Sequence, residues 1–317
     1  MDVIAHATAH LRRGGLVAMP TETVYGLAAI ARDADAVGRV FEAKGRPSTN
    51  PLIVHASTLE MARDCCASWP VAADALARAF WPGPLTLVLP KAQWVPEIVT
   101  AGGPTVAVRV PQHPLAIALL DAVGEPLVAP SANPSGYVSP TSVEHVRGVW
   151  PEERVVVLDG GACSGGLEST VLAVESAGVR VLRRGVLGGD ELAKVAGVPL
   201  LDSESGGSGP LASPGLAGAH YQPALPLVLA STLDEADAWL GLGPACVLSA
   251  PGVPLAVDPP HQSMPMPADG ESYARELYAA MRDADESGAL RIVVCAPLAS
   301  GAVWDAVRER LVRATAR

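Results

Sequence analysis

An α/β fold with a largely buried sheet is the class that the sequence predicts, and three observations predict it. Short apolar runs alternate along the chain with segments of helical periodicity. Hydrophobic residues make up 49% of the chain and charged residues 18%, the balance of a globular protein rather than a disordered one. The length of 317 residues corresponds to about two domains, ample for at least one sizeable core.

The elements follow in order. Residues 2–13 read as a helix ended by Gly14-Gly15, and Leu16–Met19 as a buried strand stopped by Pro20. Residues 33–44 place Val37, Val40 and Phe41 at helical spacing behind Asp33, a natural N-cap. Leu52-Ile53-Val54 is a short strand. Residues 71–80 are helical, and Trp81-Pro82-Gly83-Pro84 then turns into the strand Leu85–Leu89. Val106–Val110 is a strand, 114–123 a helix and Leu127–Ala129 a strand. Arg154–Leu158, Thr170–Val174 and Val179–Leu182 are three more strands. Residues 202–219, DSESGGSGPLASPGLAGA, have the composition of a linker. Beyond it, Leu225–Ala230, Ala245–Leu248 and Ile292–Val294 read as strands. Residues 271–286 form an amphipathic helix through Tyr273, Leu277 and Met281, and 301–314 a closing helix through Val303, Val307 and Leu311. The expected division is 1–201, a linker over 202–224, and 225–317.

Charge and cysteine usage exclude several classes. The net charge is −10, split as −3 over residues 1–200 and −7 over the rest. Such a chain is a poor default binder of nucleic acid, so any phosphate site is expected to be a small local pocket. No run approaches the roughly 18 apolar residues of a membrane helix, and the N-terminus MDVIAHATAHLRRGG lacks the order of a signal peptide. Five cysteines without a CxxC pair fit neither a disulfide framework nor a zinc site, and a cytoplasmic location is expected. No metal-ligand set is expected. GxxxxGK[ST], HExxH, GxSxG and a strand-turn-helix GxGxxG are absent, and the Gly-rich stretch 160–166 lacks a P-loop lysine and reads as a turn.

Four polar clusters stand at strand ends or turns. Pro20-Thr21-Glu22-Thr23-Val24-Tyr25-Gly26-Leu27 lies where α/β proteins place ligands, although Thr21 or Thr23 serves equally as the cap of a following helix. Lys44-Gly45-Arg46-Pro47, with Asn50-Pro51 and a strand ending at His55, reads as cations suiting a helix C-terminus or as a clamp on phosphates in a proline-stiffened loop. Arg109, in the apolar run Thr105–Pro111, is costly to bury without an anion, which either a bound carboxylate or phosphate or an internal Asp or Glu would supply. Ala129-Pro130-Ser131-Ala132-Asn133-Pro134-Ser135-Gly136, with Ser139-Pro140-Thr141, is a loop of preset hydrogen-bonding groups or a simple turn.

Taken together, PTETVYGL, KGRP with NPLIVH, FWPGPLTLVL, TVAVRVP, APSANPSG with SPT, GG…EST and LRRG occur in the order of one family. Over about residues 10–185 the chain resembles the Sua5/YrdC/YciO family. Ser213-Pro214-Gly215, His220-Tyr221-Gln222-Pro223 and the tail extend the likeness to its long Sua5 type. The resemblance implies a YrdC-like twisted mixed sheet with helices and a concave cleft, plus a small Rossmann-like α/β domain. It implies an enzyme that condenses L-threonine, bicarbonate (or CO2) and ATP, with Mg2+, into L-threonylcarbamoyladenylate and pyrophosphate. A separate transferase complex would use that product to modify adenosine 37 of tRNA; direct tRNA binding by this chain is left open.

The resemblance also implies roles. Lys44 and Arg46 would hold the triphosphate and offset charge at the α-phosphate, and Ser131 and Asn133 would donate to the phosphates. Asn50, Thr105, Ser139 and Arg183 would line the ATP pocket, with Tyr221 touching the nucleotide from a linker that closes as a lid. Thr23, His55, Arg109, Ala129 and Ser169 would bind threonine, Arg109 through its carboxylate. The chain departs from the family pattern at Tyr137, where shorter relatives carry Arg, at Gln222 in place of Ala, and at Arg184 in place of Pro. Two other readings compete. Carbamoyl-phosphate-linked transfer, as in hydrogenase-maturation relatives, expects an acylphosphatase-like region and zinc-finger cysteines that this sequence lacks. Double-stranded RNA binding is disfavoured by the acidic balance.

Overall fold

A computed structural model describes residues 3–202, 220–249, 253 and 255–315. Most of the expected linker, with Ser213-Pro214-Gly215, lies outside the described residues. The larger unit runs α1 (Val3–Arg12), β1 (Leu16–Met19), β2 (Gly26–Ile30), α2 (Ala34–Lys44), β3 (Ile53–His55), α3 (Leu59–Asp64), α4 (Val71–Phe80) and β4 (Leu85–Pro90). It continues through β5 (Thr105–Arg109), α5 (Pro114–Val123), β6 (Leu127–Val128), α6 (Val143–Arg147), β7 (Val155–Val157), β8 (Thr170–Glu175), β9 (Gly178–Arg183) and α7 (Gly189–Ala196). Its nine strands form one sheet in the order β7-β1-β2-β6-β3-β5-β4-β8-β9. The pairs β1/β7, β3/β5 and β4/β8 are parallel and the others antiparallel, so the sheet is mixed, as expected.

Strand alternation decides what each face carries. In β1, Leu16 and Ala18 join the core under α2 and α4, while Val17 and Met19 join a second core under α1 and α5. The strand is therefore buried throughout, which is why it reads as an unbroken apolar run. In the centre of the sheet, Val54, Leu87, Val106, Val108 and Leu172 point into the first core. Their neighbours Ile53 and Ala107 face the other way, and so do His55 and Arg109. The parallel register sets Ile53 beside Ala107 and His55 beside Arg109. This second face is only partly covered by apolar side chains, and the pocket described below is built there.

The second unit is a parallel sheet of β10 (Leu227–Ala230), β11 (Ala245–Ser249), β12 (Gln262–Pro265) and β13 (Arg291–Cys295), in the order β10-β13-β11-β12. It carries α8 (Leu233–Leu240), α9 (Gly270–Asp285) and α10 (Ala302–Thr315). Tyr273, Leu277 and Tyr278 of α9 and Val307 and Leu311 of α10 share one buried cluster with Val24, Val138 and Leu167 of the larger unit. Helix α9 comes close enough that a Cβ on Gly166 would lie 2.3 Å from Arg275 Cα.

The strongly periodic elements match expectation within a residue or two at their ends. The cap reading of Thr21 and Thr23 does not survive, because the chain after them enters β2 rather than a helix. Asp33 does cap α2, accepting a 2.9 Å hydrogen bond from the Ala36 N–H. The edge strand β12, QSMP, was invisible to pattern: it is mostly exposed and shows no alternation.

Gly166 has φ +76°, so it combines a left-handed backbone with a near contact to helix backbone. Gly166→Ala is expected to destabilise the protein by about 2–4 kcal/mol, read as a lowered denaturation midpoint.

Candidate active site

A single pocket gathers most of the expected residues. It is a small cavity of about 50 Å³ that opens to solvent, and is lined by Thr23, Arg46, His55, Arg109, Ala129, Ser131, Ser169, Arg183 and Tyr221, together with Thr21, Glu168 and His220. These come from the entries to β2 and β8, the ends of β3, β5 and β9, the loop after β6, and the segment that leads into the second unit.

Arg46 reaches the pocket through a helix stop. Gly45 takes φ 59° at the end of α2, its N–H donates to Glu42 O, and the Arg46 N–H donates to Phe41 O. The Arg46 side chain donates to the carbonyls of Asn50 (3.0 Å) and Pro51 (2.9 Å). Burial, and then the charge of Arg183, bring its pKa down to about 10. Arg183 donates to the Ser169 carbonyl (3.0 Å) and hydroxyl (3.1 Å), and burial again lowers its pKa. Among the described residues neither arginine has a carboxylate within salt-bridge distance.

Arg109 has the internal partner that its burial demanded. Its guanidinium donates to Glu22 Oε1 at 2.5 Å, to Thr23 Oγ1 at 3.0 Å and to the Gly83 carbonyl at 3.1 Å. Burial would raise the Glu22 pKa, but Arg109 and the Gln112 N–H outweigh it and hold the carboxyl below its ordinary value. An internal acid and a place in the pocket wall are thus both true of Arg109.

His55 is fully enclosed and its Nδ1 has no partner. Burial, followed by the charge of Arg109, brings its pKa down to about 3. It is a neutral hydrogen-bonding group at pH 7, and a weak acceptor for an ammonium proton. The His220 ring has its Nδ1 unpartnered, and burial takes its pKa to about 3 as well. Tyr221, at φ 65°, has a buried hydroxyl without a partner. Buried polar atoms normally find partners, so this concentration of unpaired atoms around one cavity marks a place for a polar ligand.

Several expected residues stand behind the pocket wall. Lys44 donates its ammonium to the carbonyls of Ser131 (2.5 Å) and Asn133, tying the 131–137 loop to the end of α2. Burial, then Arg46, lower its pKa well below the ordinary value. The Asn133 amide donates to Pro134 O (2.9 Å) and Tyr137 O (2.7 Å), which shapes that loop. Asn50 meets Arg46 through its carbonyl, and its buried Oδ1 is unpartnered. The Ser139 hydroxyl donates to Glu168 at 2.6 Å. Thr105 stands at the opposite end of β5 from Arg109, paired with Pro90, and does not line this cavity.

Sequence reasoning gave no role to Glu168, and it did not single out Arg310. The Glu168 carboxylate accepts from Ser139, from Tyr278 Oη at 3.0 Å and from Arg310 Nε at 3.0 Å. Burial opposes its ionisation, yet Arg310 and Arg183 hold its pKa at about 2. A signal for Arg310 existed: it follows Val303 and Val307 at helical spacing, on the apolar face of α10. Arg184, at a departure from the family pattern, ties the two units by donating to Asp305 of α10 at 3.1 Å. The Gln222 N–H, at another departure, donates to Gly136 O at 2.8 Å.

The family model of Sua5, YciO and YrdC, described as telomere recombination, matches residues 9–185, and one described as the threonylcarbamoyl-AMP synthase C-terminal domain matches residues 188–316. The chain belongs to the Sua5/YrdC/YciO family. Its second unit makes it a member of the long Sua5 type. A threonylcarbamoyl-AMP synthase of Pyrococcus abyssi is 44% identical over 225 residues, 70% of this chain and 66% of that protein. Its namesake in Bacillus subtilis is 44% identical over 235 residues, 73% and 68% of the two chains. These alignments span about two thirds of the curated relatives' length. A crystal structure of P. abyssi Sua5 complexed with L-threonine has a TM-score of 0.87 at 36% identity, covering 98% of this chain and 94% of that one. Escherichia coli YciO covers 60% of this Sua5-type chain and 92% of its own, at 25% identity and a TM-score of 0.53.

The buried charges set the acid behaviour. The unfolded chain protonates His55 and His220 near pH 6.5, whereas the folded protein resists until about pH 3. Glu168 is protonated near pH 4.3 when unfolded and near pH 2 when folded. All three groups bind more protons in the unfolded state, so stability is lost as pH falls. Melting temperature is expected to decline below about pH 6.5 and more steeply below about pH 5. Thermal melts across that range are expected to show His55→Gln flattening the upper part and Glu168→Gln the lower.

Proposed function

We propose that this chain is a threonylcarbamoyl-AMP synthase. It condenses L-threonine and bicarbonate into a carbamate, whose oxygen attacks the α-phosphate of ATP as the bond to pyrophosphate breaks. The observation that carries the reading is the meeting of Arg46, Arg109 and Arg183 in one pocket of an acidic protein. Two anions must approach each other in this reaction, and fixed cations with preorganised donors lower that barrier.

In this reading Arg109 binds the threonine carboxylate. Glu22 and Thr23 hold its guanidinium in place, and Thr23, His55, the backbone at Ala129, and Ser169 surround the amino acid. His55 donates or accepts a hydrogen bond as a neutral ring rather than serving as the base. Arg46 and Arg183 face the triphosphate with Ser131, and Tyr221 contacts the nucleotide from the end of the linker. Lys44 and Asn133 hold the phosphate loop in shape from behind, and Asn50 and Ser139 support Arg46 and Glu168. We assign the catalytic division to residues 1–201, the linker and lid to 202–224 and the accessory domain to 225–317.

Mg2+ would travel with the nucleotide. Among the described residues no group of three His, Cys, Asp or Glu side chains converges on a metal position, and phosphate oxygens and water suffice to hold this ion. The product would pass to a tRNA threonylcarbamoyl transferase complex. Unpaired cysteines suit a cytoplasmic setting, and no helix among the described residues is long and apolar enough to cross a membrane.

The test is pyrophosphate release. It is expected only when ATP, L-threonine and bicarbonate are all present; equal release with serine or without an amino acid refutes the assignment. Arg46→Ala is expected to lower turnover by about two orders of magnitude or more. Tyr221→Ala is expected to raise the KM for ATP about tenfold, the loss of one buried hydrogen-bonded ring contact; unchanged affinity and turnover removes Tyr221 from the site.

A further inference from the structure

The Glu168 carboxylate stands in the wall of the pocket, on the side of Arg183. A buried anion there opposes a triphosphate and competes with it for the nearby guanidinium. Among the described residues the larger unit gives this carboxylate one hydrogen bond, from the Ser139 hydroxyl, and the nearby charge of Arg183; the cation in salt-bridge contact comes from the second unit. Arg310 of α10 is 0% exposed, lies 142 residues further along the chain, and donates from Nε to Glu168 Oε2 at 3.0 Å. Its Nη2 donates to the Arg184 carbonyl at 2.8 Å, and its Nη1 lies 3.4 Å from Glu309 Oε1, which together fix the guanidinium plane. Tyr278 of α9 donates to the same carboxylate oxygen.

We infer that Arg310 is a positioning residue of the nucleotide site: it neutralises Glu168, so that Arg183 and Arg46 meet the triphosphate instead of an internal carboxylate. The inference rests on the synthase reading, because it concerns the same anion. It gives the second unit a part in ATP binding, exerted through charge and not through contact with the nucleotide. Without Arg310, Glu168 turns its full charge on the pocket and draws Arg183 to itself. Without Glu168, Arg310 keeps only Glu309, 3.4 Å from its Nη1 on the far side of the guanidinium, and more of its positive charge reaches the site.

The two single variants should therefore move ATP affinity in opposite directions. Arg310→Met keeps the length of the side chain and removes its charge. It is expected to weaken Mg-ATP binding about tenfold, the order of one buried charge at a high effective dielectric. Glu168→Gln keeps the side-chain length, its amide oxygen accepting from Arg310 and Tyr278 and its NH2 donating to the Ser139 oxygen, and is expected to tighten binding severalfold. The double variant removes both charges and is expected to return within about threefold of the wild type, since replacing a whole buried pair costs far less than breaking it.

Isothermal titration calorimetry with Mg-ATP on the full chain reads all four proteins, with near-ultraviolet circular dichroism reporting the fold. A merely structural role for the pair weakens binding in both single variants, and that result, or an unchanged affinity in both, overturns the inference. If Arg310→Met does not fold, the direction of the Glu168→Gln change and the recovery in the double variant still decide it. A wild-type protein that binds no ATP brings down the synthase reading itself. A wild type that binds ATP while the variants shift together brings down only this inference.

Discussion

The burial of one carboxylate, Glu168, constrains the rest of the structure. An ionised carboxylate out of water is tolerated only when its lone pairs are met. Glu168 meets its own through Ser139 in the loop after β6, Tyr278 in α9 and Arg310 in α10. Those donors belong to both units, so the carboxylate is satisfied in one mutual arrangement of the two sheets. The net stability of such a pair is small, but leaving one partner alone costs about 3–5 kcal/mol. Its effect is thus to exclude other arrangements more than to deepen this one. The apolar cluster of Val24, Val138 and Leu167 with Tyr273, Leu277 and Leu311 supplies the non-directional attraction. Glu168 supplies the direction.

The same physics explains how an acidic chain holds a cationic pocket. Arg46 and Arg183 in the wall and Lys44 behind it are buried, and each donates to backbone carbonyls, Arg183 to the Ser169 hydroxyl as well. Carbonyl dipoles satisfy the donors without cancelling the charge, whereas a carboxylate does both. Cations compensated in this way keep a field that an anionic ligand can meet without first breaking an ion pair. Pro47, Pro51, Pro130 and Pro134 flank the carbonyls concerned. Their fixed φ angles lower the entropy cost of holding that backbone still. Arg109 is the exception, with Glu22 beside it, and there a second anion would be added to an existing pair.

Much of this was legible in the sequence, and the unread part has a common cause. The strand Leu16–Met19 announces itself as an unbroken apolar run, and the helix 114–123 because its burial repeats at a local period. Arg109 announced itself as a charge in an apolar strand, and its need for an anion followed. That Glu22 meets the need is a matter of tertiary contact across 87 positions, which no local pattern encodes. Lys44 and Thr105 show the limit from the other side. A motif fixes residue types, while the structure decides that the Lys44 ammonium faces two carbonyls and that Thr105 stands at the far end of its strand. Glu168 was hardest of all, because the arginine that explains its burial lies 142 positions away; Arg310 shows itself only as a charge on the apolar face of its helix.

Tyr221 shows that the second unit shapes the pocket's interior as well as its exterior. Its backbone takes a left-handed conformation that costs a non-glycine residue about 1–3 kcal/mol. Contacts from two directions hold it there. On one side the neighbouring Gln222 N–H donates to Gly136 O in the loop after β6, and on the other the His220 N–H donates to Arg313 O in α10. The ring lies 5.7 Å from Tyr278, and its face is 5.1 Å from the Arg310 guanidinium. Arg310 therefore touches two walls of the site at once, the carboxylate of Glu168 and the ring of Tyr221. The strained backbone at Tyr221, a residue of the cavity wall, is held from both α10 and the loop after β6. The site is thus a property of the assembled pair of sheets and not of the larger sheet alone.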